Sequence, residues 1–257
     1  MNAQGELENK VLIITGAASG IGAAAARLLA SRGGSVAFLD LDVARARDVA
    51  KECSAEGSGR ARAFACDVSS REQAQHAIAM AAAHFGRVDV LVNCAGIFPS
   101  SPVAETTEAL LQKVMAVNFY GAVHCAMAAL QVFPDSGGVI VNVGSGAASR
   151  PIRGLSVYGA SKAALLSFSR SLALELAPRV RVNTVSPGPT ETPGAEAAAG
   201  DDPRALERKR QGISADTPMR RLACPAEVAE AIAYFASDRS NFITGQNVHV
   251  SGGRYMP

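Results

Sequence analysis

Tyr158 and Lys162 are the residues whose types and spacing point most directly to chemistry. They stand four positions apart in Tyr158-Gly-Ala-Ser-Lys162, and residues at i and i+4 share one face of a helix. A phenol with a pKa of about 10 is a weak base near neutrality. One cation roughly 4 Å away, at an effective dielectric constant near 20, contributes about 4 kcal/mol and would bring the phenol pKa to about 7. The pair therefore predicts a tyrosine that donates and accepts a proton.

A second hydroxyl group, that of Ser145, follows the apolar run Val139–Val143, thirteen residues before Tyr158. If this run is a strand of a parallel sheet, Ser145 lies at the carboxyl edge, where open α/β sheets bind ligands. A hydroxyl there can donate a hydrogen bond to a substrate oxygen whose charge changes during the reaction. Taken alone, Ser145 is equally typical of a turn, just as Tyr158 and Lys162 alone could be surface residues.

A glycine-rich loop, Gly16-Ala-Ala-Ser-Gly20-Ile-Gly22, joins the apolar run Val11–Thr15 to an alanine-rich helical stretch. The order of strand, glycine loop and helix is typical of a dinucleotide site, because glycines let the backbone approach a pyrophosphate at the helix N-terminus. The spacing G-x-x-x-G-x-G differs from the more familiar G-x-G-x-x-G, so the loop needs support from elsewhere.

That support comes from Asp40, which ends the second predicted strand eighteen residues after Gly22. A carboxylate there can accept hydrogen bonds from both hydroxyls of an adenosine ribose, and it would repel a 2′-phosphate. Neither Ser19 nor Leu41 offers a cation to a phosphate. The sequence therefore predicts NAD(H), rather than NADP(H), as the cofactor.

Short apolar runs, rich in β-branched residues, must position these groups. The predicted strands are Val11–Thr15, Val36–Asp40, Ala61–Cys66, Val88–Asn93, Val139–Val143, Val180–Val185 and Asn247–Val250. The predicted helices are Ile21–Ser31, Ala44–Glu56, Arg71–Phe85, Phe119–Phe133, Tyr158–Ala177 and Pro225–Ala236. This alternation predicts one α/β domain over residues 1–257, with a Rossmann-type, doubly wound, parallel seven-stranded sheet and helices on both faces. The stretch Gly188–Ala223 departs from this alternation of strands and helices, and it predicts a substrate lid or binding loop.

The composition argues against several other classes of protein. Hydrophobic residues make up 48% and charged residues 19%, which is unlike a disordered chain, and 25 basic against 23 acidic residues are too balanced for nucleic-acid binding. No apolar run reaches the roughly 18 residues of a membrane span. Residues 1–6 do not resemble a signal peptide. The five cysteines and four histidines show no metal-binding spacing. We expect a cytoplasmic protein without metal, membrane or nucleic-acid partners.

Six motifs occur in order: Thr15-Gly16-x-x-x-Gly20-Ile21-Gly22, Asn93-Cys94-Ala95-Gly96, Asn118, Ser145, Tyr158-x-x-x-Lys162 and Pro187-Gly188. Together they resemble the short-chain dehydrogenase/reductase family in its single-domain form, from about Glu8 onward. The resemblance implies an enzyme that interconverts a secondary alcohol and a ketone, by hydride transfer between nicotinamide C4 and the carbonyl carbon. It also implies a homotetramer.

The resemblance assigns roles to individual residues. The catalytic residues would be Asn118, Ser145, Tyr158 and Lys162. Tyr158 would move the proton, Ser145 would position the reacting oxygen, Lys162 would tune Tyr158 and bind the nicotinamide ribose, and Asn118 would hold a water. The cofactor-binding residues would be Gly16, Ser19, Gly20, Ile21, Gly22, Asp40, Leu41, Asp67, Val68, Asn93, Ala95, Gly96, Tyr158, Lys162, Pro187, Gly188, Thr190 and Thr192. Two positions depart from the family pattern: Thr190 replaces a branched aliphatic residue, and Cys94 replaces the commoner asparagine.

Three functions remain open at this stage. The C-terminal segment Ile243–Pro257 resembles that of β-ketoacyl-acyl-carrier-protein reductases, so reduction of 3-oxoacyl thioesters is one alternative. Asp135 and Leu174 stand where such enzymes carry basic docking residues, although Arg153 and Arg170 could substitute. A nicotinamide-binding redox sensor without turnover is the other alternative, and the presence of all four reaction residues argues against it. A small ketone or secondary alcohol is therefore the favoured substrate. Its expected pocket contains Ile97, Phe98, Ala147, Ile152 and the lid from Pro189 onward.

Overall fold

The structure, a computed structural model, describes residues 5–56, 60–197 and 202–256. The expectations for residues 1–4 of the N-terminus and residues 198–201 of the lid lie outside the described residues. The strands are β1 (Val11–Thr15), β2 (Ser35–Asp40), β3 (Ala61–Ala65), β4 (Val90–Asn93), β5 (Gly138–Val143), β6 (Val180–Pro187) and β7 (Asn247–Val250). They form one parallel sheet in the order β3-β2-β1-β4-β5-β6-β7. The predicted fold class is confirmed.

The helices cover both faces of this sheet. They are α1 (Gly20–Ser31), α2 (Val43–Glu56), α3 (Arg71–Phe85), α4 (Glu108–Met115), α5 (Gly121–Ala129), α6 (Ser156–Leu176), α7 (Pro193–Ala197), α8 (Pro203–Ala215) and α9 (Pro225–Ala236). A π-helical turn, Ala116–Tyr120, joins α4 to α5. Among the described residues, every helix is too short or too polar to cross a lipid bilayer.

The central strands are largely apolar because each face of the sheet is buried. Successive side chains of a strand point to opposite faces, so Leu12 and Ile14 pack in one core with α1, α2 and α9. Val11 and Ile13 pack in the other core with α3, α5 and α6. The three-layer arrangement thus follows directly from the lengths and apolarity of the runs.

The helix α4 and the π-helical turn after it depart from the sequence prediction, which placed one helix over Phe119–Phe133. The side chain of Thr107 accepts a hydrogen bond from the Leu110 amide at 3.2 Å and caps the N-terminus of α4. A threonine before a helical run is a usual start signal, but α4 spans only eight residues. Its apolar stripe is too short for the sequence to distinguish this helix from a loop.

The predicted lid, Gly188–Ala223, contains two helices, α7 and α8. Its two ends lie side by side, because Thr190 and Ala223 form an isolated parallel bridge. The Glu191 amide donates to the Ala223 carbonyl at 2.9 Å, and the Ala223 amide donates to the Pro189 carbonyl at 3.0 Å. The lid therefore leaves and re-enters the body of the protein at one point beside the carboxyl end of β6.

Candidate active site

A cleft of about 1140 Å³ opens at the carboxyl edge of the sheet. It lies where β1 and β4 are neighbours and the strand order reverses, the place at which doubly wound sheets bind ligands. The predicted site residues that line this cleft are Gly16, Ser19, Gly20, Ile21, Gly22, Asp40, Leu41, Asp67, Val68, Ala95, Gly96, Ser145, Tyr158, Lys162, Pro187, Gly188, Thr190 and Thr192. Asn93 and Asn118 do not line it.

The glycine-rich loop brings the N-terminus of α1 to the wall of the cleft. A Cβ atom at Gly22 would overlap the carbonyl oxygen of Gly16, so the tight turn of the loop requires glycine there. Ser19 is the N-cap residue of α1, but its side chain makes no capping hydrogen bond. The first backbone N–H groups of α1 are therefore available to an anion, as a pyrophosphate site requires.

Asp40 is held at the cleft by two backbone donors. Its Oδ2 accepts a hydrogen bond from the Ala18 amide and its Oδ1 accepts one from the Asp42 amide, both at 2.9 Å. A carboxylate has about four acceptor sites, so two remain for a ligand with paired hydroxyl groups. The side chain of Leu41 is 76% exposed at the rim and brings no charge to this end of the cleft.

Asp67 and Val68 line the same half of the cleft as Asp40. The Asp67 Oδ1 accepts hydrogen bonds from the Ser69 amide at 2.9 Å and from the Ser69 hydroxyl at 2.6 Å. This turn leads into α3, whose first N–H groups Ser70 caps. The Asp67 carboxylate is thus fixed at the end of β3, next to Asp40 on β2.

Tyr158 and Ser145 face each other in the other half of the cleft. The Ser145 hydroxyl accepts a hydrogen bond from the Ala147 amide at 3.1 Å, and the ring centroids of Phe98 and Tyr158 lie 5.9 Å apart. Burial raises the pKa of Tyr158 above its ordinary value, and the neighbouring Ser145 hydroxyl opposes that rise. The phenol is therefore protonated at neutral pH and is suited to donate its proton.

Lys162 lies beneath this pair as a buried amine, only 4% exposed. Its Nζ donates a hydrogen bond to the Val143 carbonyl at the end of β5, at 2.8 Å, and burial lowers the pKa of this lysine to about 8. The predicted lowering of the Tyr158 pKa to about 7 is wrong for the protein alone, because the effect of burial exceeds that of the Lys162 cation on the phenol. The ammonium is bonded to the strand end, and the pKa of Tyr158 is governed by its own burial.

Asn118 lies in the π-helical turn behind the cleft wall. Its Oδ1 accepts from the Ile97 amide at 2.8 Å, while its Nδ2 donates to the Ile97 carbonyl at 2.8 Å and to the Ser161 hydroxyl at 3.0 Å. Both hydrogens of the side-chain amide are used within the protein, and the role of Asn118 in holding a water stays a prediction. The side chain ties the loop after β4 to α6, which carries Tyr158.

The Asn93 side chain is also buried, and it joins neighbouring elements instead of lining the cleft. Its Nδ2 donates to the Asn142 Oδ1 at 2.9 Å and to the Ala122 carbonyl at 3.3 Å. Asn142 in turn donates to the Ser169 hydroxyl at 2.8 Å. The amide of Asn93 points between β5 and α5, so the predicted contact of Asn93 with a cofactor stays a prediction that its side chain does not support.

Tyr255 is a cleft residue that the sequence reading missed. Its ring covers Gly146, where any Cβ atom would overlap it, and so it packs next to Ser145. The Arg150 guanidinium also lies over the ring of Tyr255, 5.9 Å from the ring centroid. No local spacing could have revealed this group, since more than a hundred residues separate Tyr255 from Gly146.

The substrate half of the cleft has an apolar wall and a basic rim. As predicted, Ile97, Phe98, Ala147 and Ile152 line it. The lid adds Leu206, Ile213 and Leu222. The basic residues at this end include Arg150 and Arg153. In the described part of the chain, no three His, Cys, Asp or Glu side chains are grouped so that they could hold a metal ion.

Comparisons with known proteins agree with this geometry. Residues 16–254 match the family model described as enoyl-(acyl carrier protein) reductase. The chain is 40% identical to the cis-4-hydroxycyclohexanecarboxylate dehydrogenase of Sinomonas cyclohexanicum, over 95% of this chain and 96% of that protein. It is 35% identical to the 2,3-dihydro-2,3-dihydroxybenzoate dehydrogenase of Bacillus subtilis, over 98% of each. A solved Brucella melitensis structure, described as a short-chain dehydrogenase/reductase of the glucose/ribitol dehydrogenase type, superposes with a TM-score of 0.90, at 34% identity, over 99% of this chain and 100% of that one.

Proposed function

Because this chain belongs to the short-chain dehydrogenase/reductase family in its single-domain form, we propose that it is an NAD(H)-dependent oxidoreductase that interconverts a secondary alcohol and a ketone. One observation carries the proposal: Tyr158, Ser145 and Lys162 line the same cleft as the glycine-rich loop and Asp40. An acid/base and an oxygen-positioning hydroxyl thus share a cavity with a dinucleotide cradle.

NAD(H) fits the residues that are present. The open N-terminus of α1 would take the pyrophosphate, and the free acceptor sites of Asp40 would take the adenosine ribose hydroxyls. Asp67 and Val68 would flank adenine, Lys162 the second ribose, and Thr190 and Thr192 the carboxamide. When bound, the nicotinamide accepts or donates the hydride. The uncharged rim at Leu41 and the carboxylate of Asp40 favour the cofactor without a 2′-phosphate.

The proton passes through Tyr158 in this mechanism. In the direction of reduction, the Tyr158 phenol donates its proton to the carbonyl oxygen, while the Ser145 hydroxyl holds that oxygen in place. The Lys162 ammonium stabilises the phenolate that remains. In the direction of oxidation, the phenolate takes the proton of the substrate hydroxyl, so this direction requires a higher pH. The raised pKa of Tyr158 favours reduction near neutrality.

The test is NADH absorbance in the presence of a panel of ketones, diketones, sugars, cyclic hydroxy acids with NAD⁺, and acetoacetyl thioesters. We expect turnover by the wild-type enzyme and none above background by Tyr158→Phe, with NADH bound by both. Unchanged turnover by the phenylalanine variant would contradict the role of the phenol. A higher kcat/KM with NADPH than with NADH would contradict the cofactor assignment.

The same panel separates the two alternatives. Reduction of 3-oxoacyl thioesters is favoured by the C-terminal segment Ile243–Pro257 and by the acyl-carrier description of the matching family model. It requires that acetoacetyl thioesters be the best substrates in the panel. A redox sensor requires NADH binding without turnover of any compound. The presence of Tyr158, Ser145 and Lys162 in one cleft favours turnover.

We also propose a cytoplasmic homotetramer. The alanines of α5, such as Ala126 and Ala129, are buried in the core of the same chain, so they are not available to a partner. In the family resemblance, partner subunits would meet through the helices that begin near Asn118 and Tyr158 and through the C-terminal strand. Larger apolar side chains remain exposed there: Tyr120 and Met127 near α5, Leu174 on α6, and Phe242 and Val248 near β7. Light scattering after size exclusion tests the assembly, and a monomer would refute it.

A further inference from the structure

Arg150 and Arg153 are two cations on the substrate half of the cleft that pair with no acidic side chain of the described residues. Both line the cavity that contains Tyr158 and Ser145. Among the described residues, neither arginine forms an ion pair with a carboxylate. The Arg150 Nη1 only reaches the Arg254 carbonyl at 3.4 Å, and no hydrogen bond of the Arg153 side chain is formed within the same residues.

The loop that carries these arginines is anchored on both sides. The Arg150 amide donates to the Gly146 carbonyl at 2.9 Å, directly after Ser145. The Gly154 carbonyl accepts from the Ser101 amide at 2.8 Å, and this contact joins the loop to the segment after β4. The Arg150 guanidinium is further oriented by the ring of Tyr255. The backbone of this loop and the Arg150 guanidinium are therefore held in place in the same cleft as Ser145 and Tyr158.

The other charges around this end of the cleft do not cancel the two arginines. Glu196 pairs with Arg210 at 2.7 Å, and Arg254 pairs with Asp216 at 3.2 Å. Asp40 and Asp67 belong to the opposite half, where β2 and β3 end. Glu191 is acidic and lies on the rim, but Lys113 also lines the cleft and offsets it. The substrate half thus has an excess of positive charge.

The cleft that contains the arginines and Tyr158 also has an apolar lining. Phe98 packs against Tyr158, and Ile152 stands between Arg150 and Arg153 in the chain. Ile213 and Leu222 of the lid complete this wall. A wall of this kind fits a carbon ring or short aliphatic frame, and the rim above it fits a negative group on that frame.

We propose that Arg150 and Arg153 form an anion-recognition site that selects substrates with a carboxylate, or a similar anionic group, on an apolar frame that also bears the reacting hydroxyl or ketone. The inference rests on the proposed oxidoreductase function and names its substrate class. Arginine suits this role because its planar guanidinium binds a carboxylate through two parallel hydrogen bonds.

The test compares two probes that differ only in charge, 4-hydroxycyclohexanecarboxylate and its carboxamide, oxidised with NAD⁺. We expect the wild-type kcat/KM to favour the carboxylate by roughly ten- to a hundredfold, since charge-assisted hydrogen bonds are the stronger ones. Arg150→Gln and Arg153→Gln should each raise the KM for the carboxylate about tenfold, with little change in kcat or in any constant for the carboxamide. Arg179→Gln is the matched control, because Arg179 is exposed at the amino end of β6, far from the cleft.

Added salt gives an independent readout. The arginines are exposed, so the KM for the carboxylate should rise as ionic strength increases, and that for the carboxamide should not. Equal wild-type kcat/KM values for the two probes would overturn the proposal. It would also be overturned if the arginine variants lost both activities alike, since that is the mark of a structural role.

A thioester pair distinguishes a small anionic substrate from a carrier-bound one. Acetoacetyl-phosphopantetheine carries a phosphate, whereas acetoacetyl-N-acetylcysteamine does not. If the arginine variants lose only the preference for phosphopantetheine and keep the preference for the carboxylate, the small-substrate assignment is wrong.

Failure of the proposed function is recognised separately, as absence of turnover of both cyclohexane probes by the wild type. In that case calorimetry compares benzoate with benzamide on the NAD⁺ complex. Weaker benzoate binding in the double arginine variant would still support the anion site, and unchanged binding would refute it.

Discussion

Replacement of Lys162 by methionine should make the protein more stable and at the same time inactive. Lys162 is buried, and its pKa is lowered by burial from the ordinary 10.5 to about 8. Holding the ammonium in place at neutral pH therefore destabilises the folded state by roughly 3 kcal/mol. Methionine has a similar volume and no charge, so it removes this penalty.

The gain is partly offset by the Val143 carbonyl, which loses its hydrogen bond from Nζ. An unpaired buried acceptor costs about 1–3 kcal/mol, so the net gain should be about 1 kcal/mol and at most about 2 kcal/mol. For a chain of this size, a gain of about 1 kcal/mol corresponds to an increase in Tm of roughly 2–4 °C. Turnover should fall by about 10²–10⁴-fold, since the phenolate of Tyr158 loses its cation.

The sign of the pH dependence follows from the lowered pKa. Below pH 8, the lysine is protonated in both folded and unfolded states, and the destabilisation is present in full. Between pH 8 and about 10.5, the unfolded state binds more protons than the folded state, so the stability of the wild type rises with pH. The advantage of Lys162→Met should therefore be largest near pH 7 and disappear near pH 10.

Urea unfolding of both proteins at pH 7 and pH 10, without cofactor, measures this difference, with turnover of the same samples as the second readout. A methionine variant that is less stable than the wild type at pH 7 would refute the reasoning, because the buried ammonium would then be a net stabilising group. An equal stability difference at the two pH values would refute it as well.

Three further predictions concern the proton, the ribose and the pyrophosphate. Ketone reduction should stay constant through neutrality and fall only at alkaline pH, while alcohol oxidation should rise with pH, because burial raises the pKa of Tyr158. A reduction rate that falls between pH 6 and about pH 7 would contradict this assignment. Asp40→Asn should lower kcat/KM for NADH by roughly ten- to a hundredfold. It should also lower the ratio of kcat/KM with NADH to kcat/KM with NADPH. Asp42→Asn serves as the control, and an equal effect of both would contradict the ribose contact. Gly22→Ala should raise the Kd for NADH at least about tenfold, because its Cβ meets the Gly16 carbonyl, whereas Gly212→Ala on α8 has open space and should bind normally. Normal binding by Gly22→Ala would show that the loop can rearrange.

Much of the fold could be predicted because it depends on the pattern of apolar and polar residues within short segments of the sequence. The runs Val11–Thr15 and Val139–Val143 are apolar except for Thr15 and Asn142, and both are central strands whose carboxyl ends carry site residues. The glycine loop and the Tyr158–Lys162 pair were recognisable for the same reason, since each is contained in a few consecutive residues.

The features that the sequence did not reveal depend on contacts between distant segments. The side-chain amide of Asn118 forms its hydrogen bonds with Ile97 and Ser161. Tyr255, near the C-terminal end of the chain, packs on Gly146. The pKa of Tyr158 could not be judged from its distance to Lys162 along a helix. Burial by neighbouring segments raises it, and Nζ is directed to a strand end.

The paired ends of the lid make this segment a self-contained insert. The bridge between Thr190 and Ala223 closes the segment at its base. The geometry of the sheet therefore does not depend on how many residues lie between these two positions. The free energy of closing a loop changes by only about 0.6 kcal/mol for each doubling of its length. Segments of other lengths and sequences could therefore be exchanged at this junction, and the roof of the cleft remodelled for new molecules, while the machinery on β5 and α6 keeps its geometry.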